Sequence, residues 1–347
     1  MPALKPFILK LTLVAGLLAA CAPTAPTAPP EPGAAPAGDL VLYSGRSEAL
    51  IQPVIDQFQA LYPDINVALK AGSNSELAAA LLEERANPQA DLFLTTELMT
   101  VQKMANEGVF QPYQPGTPDA VPADYHHPDW LWTGLTLRAR VLIYNTQLVT
   151  PAAAPQSVLD LTKPEWRGQL AAAGSTNGGF QAHVAALRQL IGDAATTAWL
   201  TGLSANEVQF FGGHTDVRKA VGAGEFQVGL VNHYYYHLQK AEGSPVAVVY
   251  PDQGEGQMGV VVNATGIGVI AGARHAAAAG LFIDYLLSPE GQQLFAELNY
   301  EYPVRPGVPL HPEVQPLTGL RLAAFDVVAA ADSLESTLDL LETLGIP

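Results

Sequence analysis

The chain is 347 residues long, 48% hydrophobic, with a formal net charge of −16 and a single cysteine. So acidic a chain is repelled by nucleic acid and by anionic membrane surfaces, and neither is expected as a partner. One cysteine closes no internal disulfide, and the length is ample for a fold held by its own apolar core.

The first residues read as a secretory signal: Lys5 and Lys10, the apolar stretch Leu11 to Leu18, then Leu18-Ala-Ala-Cys21. The apolar stretch is too short to span a bilayer. The tetrad resembles the lipobox of bacterial lipoproteins, which makes residues 1–20 a signal peptide and Cys21 the lipidated first residue of an exported, membrane-anchored protein. Residues 21–38 are rich in proline and alanine without hydrophobic pattern, and form a tether. Removing Lys5 and Lys10 with the signal takes the net charge from −16 to −18.

From Asp39 the composition turns globular. Asp39-Leu-Val-Leu-Tyr43 is a compact strand stopped at Ser44-Gly45-Arg46-Ser47, and Leu50, Val54, Ile55, Phe58 and Leu61 mark the helix that follows. A strand over 64–70, a helix over 75–86 and a strand over 90–94, ending at Thr95-Thr96-Glu97, continue the alternation, which implies a parallel sheet. The segment Trp132 to Asn145 reads as one long strand crossing between two lobes. A polar loop, Gly174 to Gly179, precedes a helix, where backbone N–H groups suit an anion. Asn263 to Ile270 reads as the return crossing, helices over 275–287 and 289–298 belong on the first lobe, and the tail from Leu320 belongs on the second. No phosphate loop, nucleophile elbow or cysteine-histidine metal spacing is present, so enzyme chemistry has no visible machinery. His126 and His127 read as a solvated loop pair and His237 as a surface helix residue.

The densest chemistry lies at Val228 to His237, where a short apolar strand runs into Asn232, His233 and three consecutive tyrosines, Tyr234, Tyr235 and Tyr236. These fall on the turn between strand and helix, at the strand end where open α/β sheets bind ligands. A phenol with a pKa of about 10 ligates a metal only when a hard cation displaces its proton. Two neighbouring phenols can converge on one such ion. The competing reading packs the rings in the core with hydrogen-bonded hydroxyls.

Several stretches together resemble the ferric-ion-binding solute receptors of bacterial ABC importers. They are Asp39-Leu-Val-Leu-Tyr-Ser-Gly, Ala90-Asp-Leu-Phe, Leu137-Arg-Ala-Arg-Val-Leu-Ile-Tyr, Lys163-Pro-Glu-Trp-Arg-Gly, Asn232-His-Tyr-Tyr-Tyr, Ser288-Pro-Glu-Gly-Gln and Glu301-Tyr-Pro-Val. The resemblance implies an α/β, type II periplasmic-binding-protein fold, with two doubly wound lobes joined by a two-strand hinge around a ligand cleft. Lobe 1 is then 39–138 with 265–310, and lobe 2 is 139–264 with 311–347. It further implies a monomeric, non-catalytic receptor that hands its cargo to a membrane permease and ATPase.

Carried over by position, the resemblance makes Tyr234 and Tyr235 the ligands of Fe(3+), with Tyr236 a lesser candidate. Asn232, Asn177, Gly178 and Arg138 become anion-binding residues, with Arg46 beside them, and Ser44, Gly45, Ser47, Thr95 and Thr96 line the cleft. The chain departs from one branch by having Ser47 where that branch has histidine and Thr96 where it has glutamate, although Glu48 and Glu97 follow directly. It departs from another by Gly179 in place of a third ligand tyrosine. Two phenolates do not fill an octahedral ferric ion, so the remaining positions fall to a synergistic anion such as carbonate or phosphate, to water, or to Glu48 or Glu97. The alternative keeps the fold and places a small organic anion or other solute in the cleft, of phosphonate, thiamine or polyamine type.

Overall fold

The structure, a computed structural model, describes residues 38–347; the expected signal, Cys21 and the tether through residue 37 lie outside the described residues. The first half of the body alternates as expected, through β1 (Gly38–Ser44), α1 (Glu48–Leu61), β2 (Ile65–Ala71), α2 (Asn74–Glu83), β3 (Leu92–Thr95) and α3 (Leu98–Asn106). α1 forms because Ile51, Val54, Ile55 and Phe58 recur on one face, which is wholly buried. Its Phe58 meets Phe282 edge-on at 4.8 Å. α2 is started by a reciprocal cap in which Ser73 and Glu76 satisfy each other's backbone N–H groups.

β4 (Phe110–Gln111) leads to β5 (Thr133–Asn145), all of whose residues are buried. Then come β6 (Leu170–Ala173), α4 (Gly178–Ile191), α5 (Asp193–Ala205), β7 (Gln209–Phe211), α6 (His214–Ala223), β8 (Val228–Asn232), α7 (His233–Ala241) and β9 (Val246–Val249). β10 (Val262–Ile270) is followed by α8 (Ala276–Leu287), α9 (Pro289–Asn299), β11 (Tyr302–Pro303), α10 (Val327–Asp332) and α11 (Leu334–Thr343).

Strand order along the sheet is β2-β1-β3-β10-β5-β8-β6-β7. β1 is parallel to β2 and β3, β6 is parallel to β7 and β8, and β10 and β5 run antiparallel between these two sets. β5 changes partner midway: it pairs with β10 through Ala139 and with β8 from Arg140 onward. Two large buried clusters form the core, one around Phe58, Phe93 and Phe282 that reaches Val217, Val221 and Val231 of the second half, the other around Phe180, Trp199 and Leu230. This is the expected α/β architecture of two doubly wound halves joined by crossing strands.

The C-terminal tail, expected on the second half, straddles both. α10 packs on α3 and α4, and Ala330, Ala331 and Leu334 share a cluster with Met99 and Ala186. Small alanines on facing helices let these backbones approach closely, a feature that a hydrophobic pattern does not localise.

Candidate metal and anion site

Loops at the carboxyl ends of the parallel strands of both halves converge on one cavity of about 240 Å³. β1 delivers Gly45, Arg46 and Ser47, β2 delivers Ser73 and Asn74, and β3 delivers Thr96. From the other half, β6 leads to Thr176 and Asn177, β7 to Gly212, Gly213 and His214, and β8 to Asn232, Tyr234 and Tyr235. Each loop opens a helix, so the positive ends of several helix dipoles gather at the cavity and favour negative charge there.

The tyrosines lie in the first turn of α7 rather than on a separate turn before it, because the helix begins at His233. The rings of Tyr234 and Tyr235 lie 4.3 Å apart at 34°, and the Arg138 guanidinium sits 5.9 Å from the Tyr234 ring centroid. Burial pushes the Tyr235 phenol well above its ordinary pKa, and Tyr234 adds to the shift, against the opposing charges of Arg138 and Arg46. Tyr235 is therefore a neutral phenol at physiological pH. Tyr236 does not line the cavity. It is turned about 100° further round the helix, with its ring 4.7 Å from that of His237. His237, expected on the surface, is buried and stacks on Tyr300 at 5.2 Å.

The floor of the cavity carries buried charge. Arg46 lines the cavity, but its guanidinium is already engaged, with Nη1 at 2.6 Å and Nη2 at 2.5 Å from the two Glu301 oxygens. Glu301 also accepts from Thr136 at 3.2 Å and from Arg138 Nη2 at 3.3 Å. Burial alone would raise its carboxyl, but the charges of Arg46 and Arg138 and the hydrogen bonds from Arg46 and Thr136 outweigh burial and hold it below the usual range. Arg140, two residues along the same strand face, donates to the Gly179 carbonyl and lies 2.8 Å from His214 Nε2. Burial lowers its guanidinium to about 10, which still leaves it charged at neutral pH. Three guanidinium groups against one carboxylate leave the floor with two uncompensated positive charges.

The two walls touch at their rims. Asn74 accepts from Thr96 N at 3.2 Å and donates to Thr96 Oγ1 at 3.0 Å, and a Cβ on Gly178 would come within 2.7 Å of its amide nitrogen. A side chain at this position would require Asn74 to shift. Asn177 caps α4 by accepting from Phe180 N at 3.1 Å.

Of the expected site residues, Arg46, Ser47, Gly45, Thr96, Arg138, Asn177, Gly178, Asn232, Tyr234 and Tyr235 come together in this cavity. Glu97 does not: it is buried as the N-cap of α3, accepting from Met99 N at 2.6 Å, Thr100 N at 3.0 Å and Asn74 Nδ2 at 3.1 Å. Glu48 is exposed in the first turn of α1, away from the cavity lining. Ser44 and Thr95 lie beneath the floor, where Ser44 Oγ accepts from Arg46 N at 3.2 Å and Thr95 Oγ1 donates to the Glu97 carbonyl at 2.6 Å. Asn74, His214, Arg140 and Glu301 are additions that sequence reading missed. The alternation Thr136-Arg138-Arg140 on an otherwise apolar strand was the available signal for Arg140, since period two puts all three on one face. Among the described residues, no cluster of three or more His, Cys, Asp or Glu side chains is placed to hold a metal.

Residues 87–318 match the family described as bacterial extracellular solute-binding protein. The chain is 33% identical over 311 residues to a Serratia marcescens protein named Fe(3+)-binding periplasmic protein, covering 88% of this chain and 90% of the relative. Among solved structures, iron-bound HitA from Pseudomonas aeruginosa superposes with a TM-score of 0.82 at 29% identity, covering 89% of this chain and 99% of that one. A Trichodesmium protein in complex with iron and citrate superposes with a TM-score of 0.73 at 30% identity, covering 89% and 100%.

Proposed function

This chain belongs to the bacterial extracellular solute-binding proteins, and on that premise we propose that it is the receptor of an ABC importer whose cargo is ferric iron bound with a synergistic anion. The observation that carries this reading is the pair Tyr234 and Tyr235, presented to a cavity whose floor holds two uncompensated guanidinium charges. Two phenolates balance those charges and no more. A trivalent cation must therefore arrive with an anion of its own, which Arg138, Asn232, Asn177 and Gly178 hold against the helix N-termini. Citrate beside iron in the Trichodesmium protein supports a carboxylate as readily as carbonate or phosphate.

In this reading the protein is a carrier, and its residues bind and release rather than catalyse. Lobe 1, 39–138 with 265–310, and lobe 2, 139–264 with 311–347, close about the crossing of β5 and β10, with α10 spanning the two. Closure brings Asn74 and Thr96 over the anion loop and removes the cargo from water. Cys21 carries the lipid that keeps the receptor on the outer face of the membrane, near the permease and ATPase that receive the iron.

Absorbance tests the reading. Iron-loaded protein is expected to show a visible ferric-phenolate charge-transfer band that replacing Tyr234 and Tyr235 together by Phe removes. Protein that stays colourless with ferric salts and candidate anions would instead point to a small organic anion as cargo.

A further inference from the structure

Behind the main cavity, Arg138, Asn232 and Gly179 also border a smaller recess of about 10 Å³, closed by Arg140, His183 and Asn263. That volume is about one water-sized sphere, enough for one small occupant. Its wall is rich in polar atoms without partners. Arg138 is 3% exposed and its Nε has no acceptor, while both ring nitrogens of His183, 2% exposed, are also unpartnered. Asn263 spends its Oδ1 on Leu98 N at 3.2 Å and Ala264 N at 2.7 Å, which leaves its amide nitrogen to donate. Two guanidinium groups border the recess and no carboxylate lines it. Among the described residues Arg140 has no carboxylate partner at all.

Buried polar atoms of this kind are satisfied by something, and buried charge is expensive unless countered. Water offers two protons to a wall that mainly needs an acceptor, and it offers no charge. We propose that the recess is a separate site for one monovalent, halide-sized anion such as chloride, held by Arg138, Arg140, His183 and Asn263. The anion is distinct from the one that accompanies the cargo: neither tyrosine lines the recess, Arg140, His183 and Asn263 line it and not the main cavity, and its volume is small for a carboxylate or phosphate. It neutralises one of the two floor charges in the unloaded receptor. Where the cargo is ferric iron, as proposed above, this lowers the positive potential that the incoming cation meets.

The test uses the iron-free protein, so it stands or falls independently of the cargo. Crystals soaked in bromide are expected to show an anomalous peak in the recess, between Arg138 Nε and Asn263. Ordinary water density there, or bromide confined to the main cavity, would overturn the proposal. In solution, chloride at tenfold excess over its Kd should raise the melting temperature by roughly 2–4 °C relative to gluconate at equal ionic strength. Asn263→Asp keeps the oxygen that Leu98 and Ala264 use and supplies an internal negative charge to the recess. It is expected to abolish both the bromide peak and the chloride dependence, and a bromide peak retained in this variant would also overturn the assignment. Should the variant fold poorly, the wild-type bromide density decides alone.

Discussion

The wall built from β6, β7 and β8 presents Asn177, His214, Asn232, Tyr234 and Tyr235 to the cavity, whereas the wall built from β1, β2 and β3 presents Ser47, Asn74 and Thr96. Every ionisable oxygen donor is on the first of these walls. The carboxylates of the opposite wall are spent elsewhere, Glu97 on capping α3 and Glu48 in solvent. On the proposed function, capture and closure fall to different halves of the molecule: one wall would supply the anionic ligands, the other the neutral groups that meet it when the cleft shuts. Between them lies the Arg46–Glu301–Arg138 network, whose members come from the loop after β1, the residue before β11 and the crossing strand β5.

The contrast breaks most severely at the tyrosines. Replacing Tyr234 and Tyr235 together by Phe removes the anionic donors of the capturing wall while leaving the rings to pack. Ferric affinity, read by competition with a chelator, is expected to fall by more than the roughly 100-fold typical of a residue that merely supports a ligand. Affinity within tenfold of the parent would show that the wall does not hold the cargo.

Next is Glu301→Gln, aimed at the network between the walls. It leaves Arg46 and Arg138 buried without their carboxylate, a change expected to cost about 3–5 kcal/mol in denaturant unfolding. A loss under about 1 kcal/mol would mean that the guanidinium groups find other partners. The same carboxylate links stability to pH. Its folded pKa lies below the unfolded value of about 4.3, so its contribution is present above that pH and is lost as pH falls through the folded value. The parent protein should therefore lose acid stability below about pH 4 more steeply than the Gln variant.

Much of this arrangement was legible in sequence because it follows local rules. The long strand-forming run of β5, the apolar face of α1 and the strand-to-helix transition at Asn232 each declared an element. The site residues at strand ends followed from that placement. What stayed hidden depends on which neighbour arrives from far along the chain. Nothing near Glu97 announces that its carboxylate caps its own helix and holds Asn74, and nothing near Arg46 announces a partner 255 residues away at Glu301. His237 looked solvated because its helix is short and polar, yet Tyr300, in a left-handed backbone conformation with φ of 58°, covers it.

The pH response of binding separates the two walls again. Each phenol that loses its proton to bind iron makes affinity rise about tenfold per pH unit, so two phenols give about 100-fold per unit in the range where both remain protonated without metal. The raised pKa of Tyr235 keeps its own exchange of proton for iron in force well above neutrality. Titration calorimetry in buffers of different ionisation enthalpy counts the protons released, with two expected. A count of zero would place the cargo on the neutral wall.

The smallest effect probes closure alone. Gly178 faces Asn74 across the rim, where an added Cβ would lie 2.7 Å from the amide nitrogen. Asn74 is a side chain and can yield, but it is tied to Thr96 through both its oxygen and its nitrogen and to Glu97 through its nitrogen. Gly178→Ala should therefore cost the closed form about 1 kcal/mol, the low end for inserting a methyl group into a packed contact, and weaken cargo binding about fivefold. The phenols are untouched, so the ferric absorption band should keep its position while the dissociation rate rises. A shift of the band would mean that the rim contact also sets the geometry of the tyrosines, and the separation of capture from closure would fail at that point.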